Sequence, residues 1–183
     1  MSDVYHFIGI GGSGMSGLAR LLLADGERVT GSDMKDSSTT AALREAGATI
    51  SIGHRAENLN GATHVVYTAA VRDDNPELVE ARRRGLPTCI RAEMLGRVME
   101  GKRGIAIAGT HGKTTTTGLA ASAFIAADSD PTVLVGGDWA PIGGNARQGQ
   151  GPYFIAEACE AFDSFLELHP HVARRHVDRR RMA

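Results

Sequence analysis

The run Val4-Tyr5-His6-Phe7-Ile8-Gly9-Ile10-Gly11-Gly12-Ser13-Gly14-Met15-Ser16-Gly17 decides the fold of this 183-residue chain. Val4 to Ile10 has strand character and feeds a G-x-G-x-x-G turn made by Gly9, Gly11 and Gly14. Past the turn, Met15, Leu18, Ala19 and Leu22 recur at i, i+3, i+4 and i+7, the stripe of a helix with one buried face. Arg28-Val29-Thr30-Gly31-Ser32 reads as a second strand, with Asp33 at its carboxyl end. Strand, glycine turn, helix, strand and an acid roughly 20 residues on make a Rossmann-like fingerprint. In that reading Gly9, Gly11, Gly12, Ser13 and Gly14 form the turn that cradles a diphosphate, and Asp33 lies near the nucleoside. The fingerprint specifies a diphosphate and a ribose, not NAD.

A second phosphate-type turn lies further along. The apolar run Gly104-Ile105-Ala106-Ile107-Ala108 leads directly into Gly109-Thr110-His111-Gly112-Lys113-Thr114-Thr115, and a helix beginning Thr116-Thr117-Gly118-Leu119-Ala120 follows. Glycines let the backbone wind tightly enough to aim several N–H groups at one anion, and the helix N-terminus adds positive potential. Gly109 to Thr115 would hold ATP: Lys113 reaches the terminal phosphates, and the Thr114 hydroxyl sits on Mg²⁺. His111 lies inside the turn beside the phosphates, where it either positions them or takes part in the chemistry. The spacing G-x-x-G-K-T is shorter than the general G-x-x-x-x-G-K-[ST], which points to a particular branch of ATP users.

Around these two turns strand and helix signals alternate. Helix over Thr39 to Ala46, strand over Ala48 to Ile52 and strand over His64 to Thr68 are expected in turn. Asn75 caps a helix with Pro76 at its first position and Glu77 favourable to the dipole; Gly85 and Pro87 stop it. Thr88 to Ile90 is a short strand and Ala92 to Met99 a helix. The fold class is therefore α/β: a Rossmann-like doubly wound parallel sheet, then the first part of a P-loop ATPase-type α/β domain. Polar Gly101-Lys102-Arg103 marks the boundary, giving a first domain over 1–101. Thr132 to Val135 and Tyr153 to Ala158 are further strands, with a glycine-rich loop from Gly136 to Gly151 between them.

Composition narrows the partners. Apolar residues make up 42%, enough for a proper core, and a net charge of −1 gives no case for nucleic acid or an anionic membrane. No apolar run approaches the roughly 18 residues of a membrane span, and no cleavable leader is expected where a strand begins almost at once. Cys89 and Cys159 form no C-x-x-C, which fits a reducing cytoplasm.

Two phosphate turns in one short chain, collinear with several further motifs, resemble the Mur ligases of bacterial cell-wall synthesis. The motifs are His6 to Gly17, Gly31-Ser32-Asp33, Asp74-Asn75-Pro76-Glu77, Arg91-Ala92-Glu93-Met94-Leu95, Gly109 to Thr117 and Gly144-Asn145-Ala146-Arg147. The resemblance runs from about Val4 to about Val172 and implies an ATP- and Mg²⁺-dependent amide-bond ligase. Such an enzyme activates the lactyl carboxylate of UDP-N-acetylmuramate as an acyl phosphate and couples it to the amine of L-alanine. The first domain would then bind the UDP-sugar, and residues 102–173 would be an incomplete central ATP-binding domain. The resemblance also places a metal-binding glutamate at Glu157, alongside Thr114, and gives Lys113 and His111 the catalytic roles.

The chain departs from the family's pattern near its end. Cys159, Ala161 and Phe162 stand where the family has mostly Asp, Ser and Asp, and five arginines fall among the final ten residues. Residues 174–183 read as an Arg-rich tail foreign to the family, of the type a shifted reading frame produces, and an inactive fragment is the expectation. A natural basic tail touching nucleic acid is the rival explanation. Two other readings of the whole remain: a stand-alone nucleotide- or UDP-sugar-binding module without catalysis, and an NAD-dependent oxidoreductase, for which the first turn alone speaks. His169 and His171 read as surface residues, Trp139 as a loop cover, Arg82 to Arg84 as a solvated helix end, and Arg72 as a residue that could face the substrate groove.

Overall fold

The computed structural model describes residues 3–158 and 172–176. It divides into two compact units, Met1–Met94 and Leu95–Ala183. That division falls within a helix rather than at the polar Gly101-Lys102-Arg103 stretch.

In the first unit five strands form an all-parallel sheet. They are β1 (Val4–Ile8), β2 (Arg28–Asp33), β3 (Thr49–Ile52), β4 (His64–Tyr67) and β5 (Thr88–Ile90), in the order β3-β2-β1-β4-β5. Helices α1 (Ser13–Ala24), α2 (Ser38–Glu45), α3 (Pro76–Arg84) and α4 (Arg91–Met99) alternate with them. Strand order reverses between β1 and β4, and doubly wound sheets bind ligands in the crevice beyond the carboxyl ends at such a switch point. The central strands β1 and β4 are covered on both faces: Phe7, Ile8, Val65 and Val66 are fully buried. One core cluster joins Ile8, Leu59, Val65, Leu78 and Ala81, which locks α3 and a short 3₁₀ turn (Ala56–Leu59) onto the sheet.

Local chemistry sets the element ends. Asn75 Oδ1 accepts the N–H groups of Glu77 at 2.9 Å and Leu78 at 3.3 Å, and Gly85 closes α3 at φ 65°. Ser37 and Thr40 form a reciprocal capping box at the start of α2. Glu93 Oε2 reaches back to the Ile90 N–H at 2.9 Å, which fixes Arg91 as the first residue of α4.

The second unit holds β6 (Arg103–Gly109), α5 (Lys113–Ala126), β7 (Thr132–Trp139), β8 (Gly144–Arg147), β9 (Tyr153–Glu157) and β10 (Val172–His176). Its sheet order is β10-β6-β9-β7-β8, parallel except for the antiparallel β7–β8 pair. Ile107, Ala121, Val133, Val135 and Ile155 form its core. Two features differ from the sequence reading. The stretch expected as a loop from Gly136 to Gly151 instead extends β7 to Trp139 and returns as β8, with Gly143 at φ 72° in the turn. Glycines signalled a loop, yet ladder pairing needs only backbone groups. The backbone of Val172 to His176 pairs with Ile105 to Gly109, so strand geometry continues through Arg174 and Arg175 of the expected tail. Cys159, Ala161, Phe162, His169, His171 and residues 177–183 lie outside the described residues.

Candidate functional site

The turn after β1 is built on Ser32 and Asp33 at the end of β2. Gly9, at φ 79°, lets the chain reverse so that the N–H groups of Gly9 and Ile10 both donate to the Ser32 carbonyl, at 2.8 and 3.0 Å. The Gly11 N–H donates to Asp33 Oδ2 at 2.9 Å, and the Gly12 N–H donates to the Gly9 carbonyl at 3.1 Å. Sequence reasoning brings Gly9, Gly11, Gly12, Ser13, Gly14 and Asp33 together, and the structure does so. It also spends the N–H groups of Gly11 and Gly12 inside the turn, whereas the fingerprint aims them at a phosphate. Asp33 braces the turn itself, and its other oxygen accepts the Lys35 N–H at 3.2 Å. The first turn of α1 begins at Ser13, with Gly12 as its cap residue and no side-chain cap. Arg91 lies against that first turn: a Cβ on Gly14 would stand 3.0 Å from Arg91 Cδ and Nη1.

Beneath the turn lies a polar cluster that the sequence did not reveal. Glu77 is fully buried and accepts from Ser32 Oγ at 2.6 Å and from Asn58 Nδ2 at 2.5 Å. His54 Nδ1 stands 3.0 Å from Glu77 Oε2, and His6 Nε2 lies 3.7 Å from Glu77 Oε1. Burial pushes this carboxyl up, but the His6 ring and the Ser32 and Asn58 hydrogen bonds outweigh it and hold Glu77 at about 2. His6 Nδ1 pairs with Thr30 Oγ1 at 2.9 Å, which turns the Nε2 edge of the ring towards the carboxylate. A glutamate two residues after an N-cap announces a helix start; nothing in its neighbours announces burial.

In the second unit, Gly109 to Thr115 joins β6 to α5. Gly112 takes φ 73° as the residue before the helix. Lys113 Nζ donates to the Gly109 carbonyl at 2.5 Å, folding the side chain back over the turn. Thr110, His111 and Thr115 are exposed, and His111 has no hydrogen-bond partner among the described residues. Thr114 Oγ1 donates to Glu157 Oε2 at 2.9 Å, and the Gly136 N–H donates to the same oxygen at 2.9 Å. Thr114 and Glu157, 43 positions apart, therefore meet at the carboxyl end of β9. Both are hard oxygen donors, a pair that suits Mg²⁺ completed by phosphate oxygens and water. Among the described residues no group of three or more His, Cys, Asp or Glu gathers as a metal site.

The remaining candidates resolve plainly. Trp139 lies on α5 at Gly118 and donates to Ser122 Oγ at 3.2 Å. Arg72 forks onto Asp74 at 3.0 and 2.8 Å in solvent, and Arg82, Arg83 and Arg84 pair with Asp73 and Glu80. Among the described residues no helix is long and apolar enough to cross a membrane.

A switch-point crevice with a glycine turn in one unit, and a lysine–threonine turn facing a strand-end glutamate in the other, define a class of nucleotide-handling α/β proteins. The chain belongs to the Mur ligase family: the model described as "Mur ligase family, catalytic domain" matches residues 4–103, more than half of its length. A UDP-N-acetylmuramate–L-alanine ligase of Sorangium cellulosum is 56% identical over 168 residues, covering 92% of this chain and 36% of that protein. One of Aquifex aeolicus is 50% identical over 169 residues, covering 92% of this chain and 37% of that protein. The chain thus spans little more than a third of the length of these relatives. The crystal structure of UDP-N-acetylmuramate–alanine ligase from Thermotoga maritima superposes with a TM-score of 0.89 at 36% identity, over 96% of this chain and 41% of that one. The UDP-N-acetylmuramate:L-alanyl-gamma-D-glutamyl-meso-diaminopimelate ligase from Neisseria meningitides gives 0.88 at 30% identity, over 97% of this chain and 61% of that one.

Proposed function

We propose that this chain carries the UDP-N-acetylmuramate-binding domain and the first part of the ATP-binding domain of a UDP-N-acetylmuramate–L-alanine ligase of the cytoplasm. The carrying observation is the pairing of two phosphate-type turns, one in each unit, in a chain similar to ligases throughout both. The two solved relatives differ in the amine partner their names give, yet both names contain UDP-N-acetylmuramate. The portion they share with this chain is therefore assigned to that common substrate. Identities of 36–56% to the alanine ligases, against 30% to the tripeptide ligase, favour L-alanine as the amine.

In this reading Gly9, Gly11, Gly12, Ser13 and Gly14 shape the diphosphate subsite, and Asp33 holds the turn next to the nucleoside. The turn from Gly109 to Thr115 takes ATP. Lys113 leaves the Gly109 carbonyl for the β- and γ-phosphates, while His111 orients them from the exposed side of the turn. Thr114 and Glu157 would hold Mg²⁺, which neutralises charge on the transferring phosphoryl group. The products of that transfer are ADP and an acyl phosphate, whose carbonyl the amine then attacks with loss of phosphate.

Calorimetric titration of the 183-residue chain with UDP-N-acetylmuramate and with NAD⁺ tests the first half of this assignment. UDP-N-acetylmuramate is expected to bind more tightly. Preference for NAD⁺ would refute it and restore an oxidoreductase reading.

A further inference from the structure

Two places in the sequence put a glycine directly after a short acid or amide, Asp25-Gly26 and Asn60-Gly61. At such a pair the glycine nitrogen, with no Cβ to obstruct it, can attack the preceding side-chain carbonyl carbon and close a five-membered ring. The fold separates the two. Asp25 ends α1 in right-handed geometry, and the Gly26 N–H donates to the Leu23 carbonyl at 3.1 Å, so that nitrogen is occupied. Asn60 and Gly61 are both exposed, at the centre of a turn that the Ala62 N–H closes on the Leu59 carbonyl at 3.1 Å. Asn60 at φ −64° and ψ 119°, with Gly61 at φ 82°, makes it a type II turn. Among the described residues neither the Asn60 side chain nor the Gly61 N–H has a hydrogen-bond partner, and nothing stands within 4 Å of where a Gly61 Cβ would be.

The other asparagines are protected. Asn75 precedes Pro76, which has no N–H, and Asn145 is buried. Asn58 Nδ2 donates to the Gly53 carbonyl at 3.0 Å and to Glu77 Oε1 at 2.5 Å, and the fully buried Leu59 follows it. We propose that Asn60 is the site at which this chain deamidates spontaneously, with water as the only co-reactant. The Gly61 nitrogen bonds to Asn60 Cγ, the Cγ–Nδ2 bond breaks, and ammonia leaves with the Gly61 amide proton. Glycine, open to both signs of φ, lets the peptide rotate as the ring closes. Water then opens the succinimide. Cleavage at the former side-chain carbonyl gives aspartate; cleavage at the backbone carbonyl gives isoaspartate, whose main chain runs through Cβ. The change reaches the buried carboxylate, because the turn follows directly on Ala56–Leu59. In that segment Asn58 holds Glu77, and Leu59 packs with Ile8, Val65 and Leu78. An extra main-chain carbon in the turn displaces the Leu59–Ala62 bond and loosens both.

The test ages the folded 183-residue chain at neutral and mildly alkaline pH. Peptide mapping by mass spectrometry follows the exchange of amide for acid at each asparagine, and an isoaspartyl methyltransferase labels the isoaspartate form. Asn60 is expected to convert about 10-fold faster than Asn58 or Asn145, because only its neighbour lacks a Cβ. Conversion is faster at alkaline pH, where the attacking nitrogen loses its proton more readily. Asn60→Gln, which must close a slower six-membered ring, and Gly61→Ala, whose Cβ crowds the nitrogen, each suppress it by about 10-fold or more. Asn60→Gln leaves the backbone unchanged and carries the test alone should Gly61→Ala, at φ 82°, fail to fold. Aged wild type unfolds at a lower urea midpoint than fresh protein, and aged Asn60→Gln does not. Conversion first at another asparagine, or an Asn60 that keeps its amide in the folded chain while the urea-unfolded chain loses it, overturns the site. Conversion at Asn60 with an unchanged midpoint overturns the link to the segment that holds Glu77.

Discussion

Lys113 sits 2.5 Å from a carbonyl of its own turn, a resting place that a phosphate would displace. Lys113→Ala is expected to cost about 1.5–3 kcal/mol of ATP affinity, roughly 10- to 100-fold, through loss of a charge-assisted contact. Unchanged affinity in a competition titration with a fluorescent ATP analogue would show that the turn is not the ATP site. Glu77 supports a prediction about stability. Its folded pKa of about 2 lies below its ordinary 4.5, so the unfolded chain takes up a proton first as pH falls. The carboxylate thus contributes stability fully above pH 4.5 and loses it between 4.5 and 2, a contribution of about 3 kcal/mol at neutrality. Urea unfolding of Glu77→Gln should show a protein weaker at pH 6 and flatter towards pH 3 than wild type. A parallel pH dependence in the two proteins would remove Glu77 as the titrating group. Lys113 was legible from its neighbours in sequence. The role of Glu77 was not, because its partners come from β1, β2 and the segment between β3 and β4.

At the scale of elements, α5 meets the β7–β8 hairpin through a shared core and through a close contact at Gly118. Trp139 at the end of β7 lies over Gly118, and a Cβ there would fall within 2.6 Å of three indole ring atoms. Alanine is about 1 kcal/mol better than glycine inside a helix. Overpacking against a fixed ring nevertheless costs about 1–3 kcal/mol. Gly118→Ala is therefore expected to destabilise the second unit and to alter the emission of Trp139, the chain's single tryptophan. A raised denaturation midpoint with unchanged emission would mean that the ring is not held there. The sequence marked Gly136 to Gly151 as irregular because glycine lacks strand propensity. The hairpin forms nonetheless, because Trp139 and Ile142 pack on the core that α5 also covers.

At the scale of the molecule, a carboxyl-activating ligase must neutralise a phosphoryl group and also hold an amine in line with the acyl phosphate. The described residues supply one lysine turn and one Thr114–Glu157 pair, in a chain spanning 36–37% of the length of its relatives. The 183-residue chain alone is expected to release no phosphate in an alanine-dependent manner from ATP, Mg²⁺ and UDP-N-acetylmuramate. Alanine-dependent release above a control without alanine would show that these two units suffice.

The sequence by itself determined the family, the α/β class, the alternation of elements and both glycine turns. Those properties depend on residues adjacent in the chain: apolar runs, glycines at turns, Asn75 before Pro76. Tertiary structure alone decided what each turn faces. It set Asp33 on Gly11, Glu157 on Thr114, Arg91 over Gly14 and Glu77 beneath Ser32. It also carried strand pairing through Arg174 and Arg175, where arginine-rich composition argued for a tail. The physical reason is common to all of these. A parallel sheet brings the carboxyl ends of strands distant in sequence to one edge, and side chains meet there at distances that local spacing does not encode.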